Sequence, residues 1–235
     1  MKPLLVLAAF PVVLMGWASC SHSGTGHAAL PDPRAVDKSV PEYKNPFHPS
    51  TYAHFVARKD YRKTYDVYKD DTLLNRQPKK SRKIFVCLDE QRGQYLVDGL
   101  VAMDFPLSSG VKAYPTKTGD YAVISKKEDH ASNLYGKMYD AEGKCINYNA
   151  ESTDPIPEGG RFDGSPMPYW QRLTNAGLGL HVGKVRRHPV SHGCVRLPRN
   201  VAEILYRQTS IGTPVTIQKT PLPVPEAQKI PPAQQ

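Results

Sequence analysis

From residue 84 onward the chain breaks into short apolar runs separated by turn signals, a period that suits a sheet and not a helical bundle. Ile84-Phe85-Val86-Cys87-Leu88 carries no polar residue, as in a strand buried on both faces. Gln91-Arg92-Gly93 reads as a turn, after which Gln94-Tyr95-Leu96-Val97 returns. Asp98-Gly99 is a two-residue hairpin signal, because both residue types tolerate positive φ, and Leu100-Val101-Ala102-Met103 follows it. Asp120 to Ile124 reads as another strand, Gly136 to Gly143 as a hairpin turning at Glu142-Gly143, and Pro214-Val215-Thr216-Ile217 as a closing strand. Helical spacing within this region is confined to Val201, Ile204 and Leu205, which follow Pro198 and end before Gly212. Residues 150 to 168, rich in Pro, Gly and polar residues, predict a long loop. Upstream, Tyr61, Tyr65 and Tyr68 are spaced as one face of a short helix capping the domain. The sum predicts a mainly β fold with one or two short helices over residues 82–219.

The two ends differ from this middle. The chain's 22 prolines crowd residues 31 to 49 and 214 to 232, which predicts a tether and N-terminal extension over 21–81 and a Pro-rich disordered tail over 220–235. Residues 1–20 open with a lysine, run apolar from Leu4 to Leu14 and end in Gly16-Trp17-Ala18-Ser19-Cys20. A positive start, a short apolar stretch and small residues describe a secretory signal, and the apolar run is short for a permanent membrane span. The small residues before Cys20 resemble a bacterial lipoprotein processing site, although Trp17 stands where a medium aliphatic residue is usual. Cys20 is therefore the expected lipidation position, giving a cell-envelope, periplasmic protein anchored to a membrane by acyl chains. Ordinary cleavage to a soluble exported product is the other outcome. A formal net charge of +9 favours acidic surroundings. No zinc-finger spacing, RNA-binding aromatic motif or basic zipper helix accompanies it, so an acidic envelope polymer is preferred to nucleic acid.

Chemistry concentrates in Gly179-Leu180-His181-Val182-Gly183 and Ser191-His192-Gly193-Cys194-Val195-Arg196-Leu197-Pro198. A thiol with a reference pKa of about 8.5 is a weak nucleophile near neutrality, and a neighbouring imidazole can take its proton. Glycines let the main chain turn tightly and a substrate approach closely, so amides around Gly193 and Cys194 are candidate oxyanion donors. On residue types alone a buried structural Cys and His would read the same way. Zinc is a further alternative through His181, His188, His192 and Cys194, but these lack the usual pair spacing and have no acidic ligand nearby, so neither metal nor cofactor is expected.

Ser191 to Arg196, preceded by Leu180-His181, resembles the signature of the L,D-transpeptidase catalytic domain family (YkuD, or ErfK/YbiS/YcfS/YnhG). Further likeness lies in Ile84 to Arg92, Phe105 to Gly110, Pro115-Thr116-Lys117-Thr118-Gly119, Met167 to Trp170, Gly177 to His181 and Thr213-Pro214-Val215. The resemblance implies a YkuD-like β-sandwich and a peptidoglycan L,D-transpeptidase working through a Cys thioester on stem peptides. Cys194 would be the nucleophile and His181 its base, with the Val182 carbonyl fixing the imidazole tautomer. His192 would support the loop and Gly193 the oxyanion. Arg196, where many members have Asn, would hold a substrate carboxylate, Ser191 would fix the loop beside the substrate, and Tyr169 would flank the donor site. His181 and Ser191 lie only ten positions apart, closer than in many members. An L,D-carboxypeptidase using water, or a non-catalytic wall-binding lipoprotein, are the alternatives. A papain- or NlpC-type peptidase would need its Cys before its His. Cys87 and Cys145 could form a disulfide in an exported protein.

Overall fold

The computed structural model describes residues 32–77 and 81–229. The expected signal segment, Cys20 and the extreme C-terminus lie outside the described residues. Thirteen strands and three α-helices form three sheets among the described residues.

The apolar run at residue 84 forms β2 (Arg82–Cys87), which pairs antiparallel with β3 (Arg92–Val97), and β3 pairs with β4 (Leu100–Pro106). Asp98 and Gly99 sit at φ 51° and 78°, the left-handed pair that a tight hairpin requires. β2 is central because β13 (Pro214–Gln218) lies parallel on its other side and in turn pairs with β5 (Gly119–Ala122). The edge beyond β4 is covered by β1 (Tyr68–Lys69), so the six strands run β1-β4-β3-β2-β13-β5.

A second sheet runs β12 (Val195–Leu197), β11 (Gly179–Val182), β10 (Trp170–Arg172) and β6 (Ser125–Lys127). One continuous core joins it to the first sheet: Ile84, Val86, Phe105, Val215 and Ile217 pack with Leu180, Val195 and Leu197. Helix α3 (Arg199–Gln208) adds Val201, Ala202 and Leu205, the buried stripe that its spacing predicts. A third sheet, β8 (Cys145–Glu151), β7 (Ala131–Tyr139) and β9 (Arg161–Pro166), stands apart from this core.

The mainly β reading therefore holds, with three helices where one or two were expected. Several details differ. The first helix is α1 (Tyr52–Ala57), capped by Thr51, whose hydroxyl accepts the His54 amide. The chain is extended again by Arg58, so Tyr61, Tyr65 and Tyr68 do not share a helical face. Helix α2 (Asp71–Asn75) follows, capped by Asp70. The loop expected over 150–168 contains β9, whose exposed, polar composition hides it from apolar patterning; backbone pairing to β7 holds it. Strands β10, β11 and β12, of three or four residues each, were too short to read.

The described part of the expected tether is packed against the sheet. Tyr52, Phe55, Val56 and Tyr61 bury against Val101, joined from the tail by Val224. Beneath them Asp104 accepts hydrogen bonds from the Tyr52 and Tyr61 hydroxyls at 2.8 Å each and from Arg92 Nε at 2.5 Å. Asp104 and Arg92 are almost fully buried, so each satisfies a charge that would be costly alone. In the tail, the Gln228 side chain accepts from the Val101 amide and donates to its carbonyl. Aromatic side chains and a buried carboxylate thus hold residues 52–61 to the sheet, and Val224 and Gln228 pack the described part of a tail whose proline content predicted disorder.

Candidate active site

Register decides which side chains share a wall. β11 and β12 run parallel with Leu180 opposite Val195, His181 opposite Arg196 and Val182 opposite Leu197. Leu180, Val195 and Leu197 are core residues, so alternation sends His181, Arg196 and Cys194 to the other face. On β10, Gln171 pairs with Leu180 and is fully buried, which puts Trp170 and Arg172 on the same outer face as His181. That face is one wall of a cavity of about 780 Å³, whose opposite wall is the third sheet, including Tyr135, Tyr148 and Pro166. Cys194, His181, His192, Gly193, Ser191 and Arg196 all line it.

His181 is buried, and its Nδ1 lies 2.7 Å from the Val182 carbonyl oxygen. A carbonyl can only accept, so a neutral ring carries its proton on Nδ1 and leaves Nε2 with a free lone pair. Burial pulls its pKa down to about 4, against the help of the Val182 carbonyl. The ring is a neutral base throughout the neutral range. The Trp170 indole stands 5.9 Å from it, centroid to centroid, and the His130 ring lies tilted 5.1 Å from Trp170. Trp170 reaches this position because residue 179 has no side chain: a Cβ there would lie 2.5 Å from Trp170 Cη2.

The Cys194 thiol donates to the Gly177 carbonyl at 3.3 Å. Burial raises its pKa above the ordinary thiol value, while the Gly179 amide and the Arg196 guanidinium pull in the opposite direction. Resting chemistry is therefore a neutral thiol sharing the cavity with a neutral imidazole.

The turn before Cys194 is tightly held. Ser191 is buried; its hydroxyl accepts the Gly193 amide at 3.1 Å and donates to the Cys194 carbonyl at 2.5 Å. Its hydrogen bonds therefore fix the turn, and the Gly193 amide is occupied by them. Gly193 itself sits at φ 115°, a conformation that L side chains rarely adopt. His192 is exposed, stacked on Tyr135 at 4.4 Å and tilted against Tyr114 at 4.8 Å, so it links this turn to the third sheet. Arg196 lays its stem over Gly183, where a Cβ would come within 2.8 Å of its Cγ and Cδ. Its guanidinium is half-buried and makes no ion pair among the described residues. Tyr169 sits at φ 55° and packs toward the core against Tyr206; the residue of that pair facing the cavity is Trp170.

Two further contributors carry no role in the sequence reading, Thr116, which lies within the Pro115–Gly119 likeness, and Arg187. Thr116 is buried behind the turn, donating to the Gly193 carbonyl at 2.6 Å and accepting the Gly110 amide at 2.8 Å. Arg187, in the loop joining His181 to Ser191, donates to the Thr64 carbonyl at 2.7 Å and the Glu90 carbonyl at 3.0 Å. Cys87, Cys145 and Cys194 are all free thiols. Cys87 donates to the Lys219 carbonyl, and burial pushes its pKa up to about 11, which leaves it inert.

A mainly β domain thus presents a thiol and a neutral imidazole on one wall of a cleft. Residues 81–217 match the family model of the YkuD L,D-transpeptidase catalytic domain, and the chain belongs to that family. It is 31% identical over 121 residues to a Mycobacterium tuberculosis protein named "Probable L,D-transpeptidase 3", a match covering 48% of this chain and 38% of that relative's length. Among solved structures it is similar to L,D-transpeptidase 3 from M. tuberculosis, at 24% identity, TM-score 0.44 and coverage of 59% of this chain and 61% of that one. An L,D-transpeptidase from Stackebrandtia nassauensis matches at 22% identity and TM-score 0.44, over 71% of this chain and 65% of that one.

Proposed function

We propose that the protein is a peptidoglycan L,D-transpeptidase with Cys194 as nucleophile and His181 as general base. The observation carrying this reading is the sharing of one cavity by Cys194 and a neutral, buried His181 whose Nδ1 is committed to the Val182 carbonyl. Nε2 takes the thiol proton as sulfur attacks the carbonyl of the third stem residue, a diamino acid. The tetrahedral intermediate collapses, the C–N bond to the terminal D-alanine breaks, and the imidazolium returns its proton to the departing amine. The thioester on Cys194 is then attacked by an acceptor amine, whose proton passes to His181. Collapse expels the thiolate, which recovers that proton. The Gly193 amide is already bonded to Ser191, so the oxyanion falls to the Cys194 amide on the cavity side of the same turn. The half-buried, unpaired Arg196 supports a role on a substrate carboxylate. His192, stacked on Tyr135, holds the turn against the third sheet.

The same reading places the mature protein in the cell envelope, on the periplasmic side, held to a membrane through lipidated Cys20. Its support is the order of charge, apolar run and small residues in 1–20. The described residues contain no helix long and apolar enough to cross a membrane.

The test is incubation of the full chain with purified tetrapeptide muropeptides, followed by mass analysis. Crosslinked dimers lacking one D-alanine are expected, and Cys194→Ala should form none. Trimmed tripeptides alone would assign the carboxypeptidase reaction; normal turnover by Cys194→Ala would overturn the mechanism.

A further inference from the structure

We propose that the cleft selects its donor by free carboxylates, with Arg196 and Arg172, on the same cavity wall as Cys194, as the residues that set this specificity. The inference rests on the donor-peptide reading above and adds the charge state of the peptide that is taken.

The register supplies the geometry. On the cavity face of the second sheet, His181 is opposite Arg196 and Gly179 is opposite Arg172. Extending the β11–β12 register by one residue brings Cys194 opposite Gly179. Cys194, the residue just before β12, therefore has Arg196 two residues further along the chain, about 7 Å away, and Arg172 across β11 in the perpendicular direction, about 10 Å away. Gly179, between Cys194 and Arg172, has no side chain, and the space above it is occupied by the Trp170 ring. An extended peptide whose reacting carbonyl sits at Cys194 Sγ lies over that aromatic floor with one guanidinium along the strand direction and the other across the sheet.

The cavity as a whole is one-signed. Lys117, Arg172, Lys184 and Arg196 line it, and no Asp or Glu does. None of the four makes an ion pair among the described residues. Several guanidiniums elsewhere are matched by acids, Arg34 with Glu90, Arg58 with Asp60 and Asp66, and Arg92 with Asp104, while Arg82 and Arg187 are held by backbone carbonyls. A half-buried guanidinium left unpaired at a cleft wall is disfavoured until an anion arrives with the ligand. A carboxylate meets it in a bidentate, charge-assisted pair, and a carboxamide cannot. The occupant that fits is a short peptide with carboxylates close to the bond being broken, on its C-terminal residue and on the side chains before it.

The experiment uses the full chain carrying Cys194→Ala, which binds without turning over, and two tetrapeptides of the same sequence. One has its side-chain and C-terminal carboxyls free, and the other has each as a carboxamide. Calorimetry should give at least about tenfold tighter binding of the free acid. Arg196→Gln and Arg172→Gln, each added to Cys194→Ala, should collapse that ratio. Equal affinity for the two peptides, or a ratio retained in both variants, would overturn the proposal. Turnover by the wild-type chain is read separately: a strong free-acid preference in binding with no product from either peptide would sink the transpeptidase reading and leave the carboxylate site standing.

Discussion

The Thr116 hydroxyl donates to the Gly193 carbonyl across 2.6 Å while it accepts the Gly110 amide. Gly193 C=O and Cys194 N–H belong to one planar trans peptide and point in opposite directions. Thr116 does not line the cavity, whereas Gly193 and Cys194 do. Holding the carbonyl on the Thr116 side therefore aims the Cys194 amide at the cleft. Gly110 makes the arrangement possible, because a Cβ there would lie 2.1 Å from the Tyr114 carbonyl oxygen and 2.9 Å from Gly193 N.

Thr116→Val should slow acylation of Cys194 by an ester or thioester donor about tenfold or more, since loss of an oxyanion donor costs roughly 10²–10³ and misorientation some fraction of that. Thr116→Ser should restore it. Alkylation by iodoacetamide, which passes through no oxyanion, should be unchanged in both variants. An equal loss in alkylation and acylation would assign Thr116 to packing alone.

His181 makes stability depend on pH in a defined window. Its pKa is about 4 in the fold and about 6.5 when exposed. Between these values the unfolded chain binds the proton that the native state refuses, so stability falls as pH drops from about 6.5 to about 4 and is unaffected by this group above that window. The loss over the window is roughly 3 kcal/mol. Denaturant titrations of the wild type and His181→Gln at several pH values should show this slope in the wild type and its absence in the variant.

Cys194 should react as a thiol of raised pKa. Its alkylation rate is expected to climb through and beyond pH of about 8.5, the value for a free cysteine, because burial is the dominant cause of its shift. Arg196→Gln removes a cation that favours the thiolate and should move the profile to still higher pH. A plateau already reached at pH 6 would show a preformed thiolate–imidazolium pair and refute the neutral resting state.

Removing one partner of the buried Arg92–Asp104 pair should cost about 3–5 kcal/mol. Asp104→Ala leaves Arg92 and the Tyr52 and Tyr61 hydroxyls without their acceptor. A shift in the urea midpoint checks this directly.

The N-terminal segment should matter to turnover as well as to stability. Arg187 ties the loop between His181 and Ser191 to the Thr64 carbonyl. Arg187→Ala is expected to lower kcat several-fold with little change in KM, and a chain beginning at residue 81 should behave likewise. Unchanged kcat in both would show that residues 32–77 are dispensable for the site.

Much of the first sheet was legible because its strands are long and apolar, and Asp98-Gly99 announced its own turn. Helix α3 was legible for the same reason, a stripe of Val201 and Leu205 behind a proline. The N-terminal segment was not, because Tyr52, Phe55 and Tyr61 are gathered by Asp104 and Val101, contacts with no local period. The third sheet's β9 escaped because its strand is polar and exposed.

By itself the sequence determined a mainly β chain with one thiol and one imidazole set among glycines, since those follow from residue types and local spacing. Tertiary structure alone decided that burial keeps His181 neutral, that Thr116 holds the turn opposite Ser191, and that Arg172 joins Arg196 on the cleft wall. The reason is physical: proton position, burial and strand register belong to pairs of residues distant in the chain, and no local pattern records which partner each will meet.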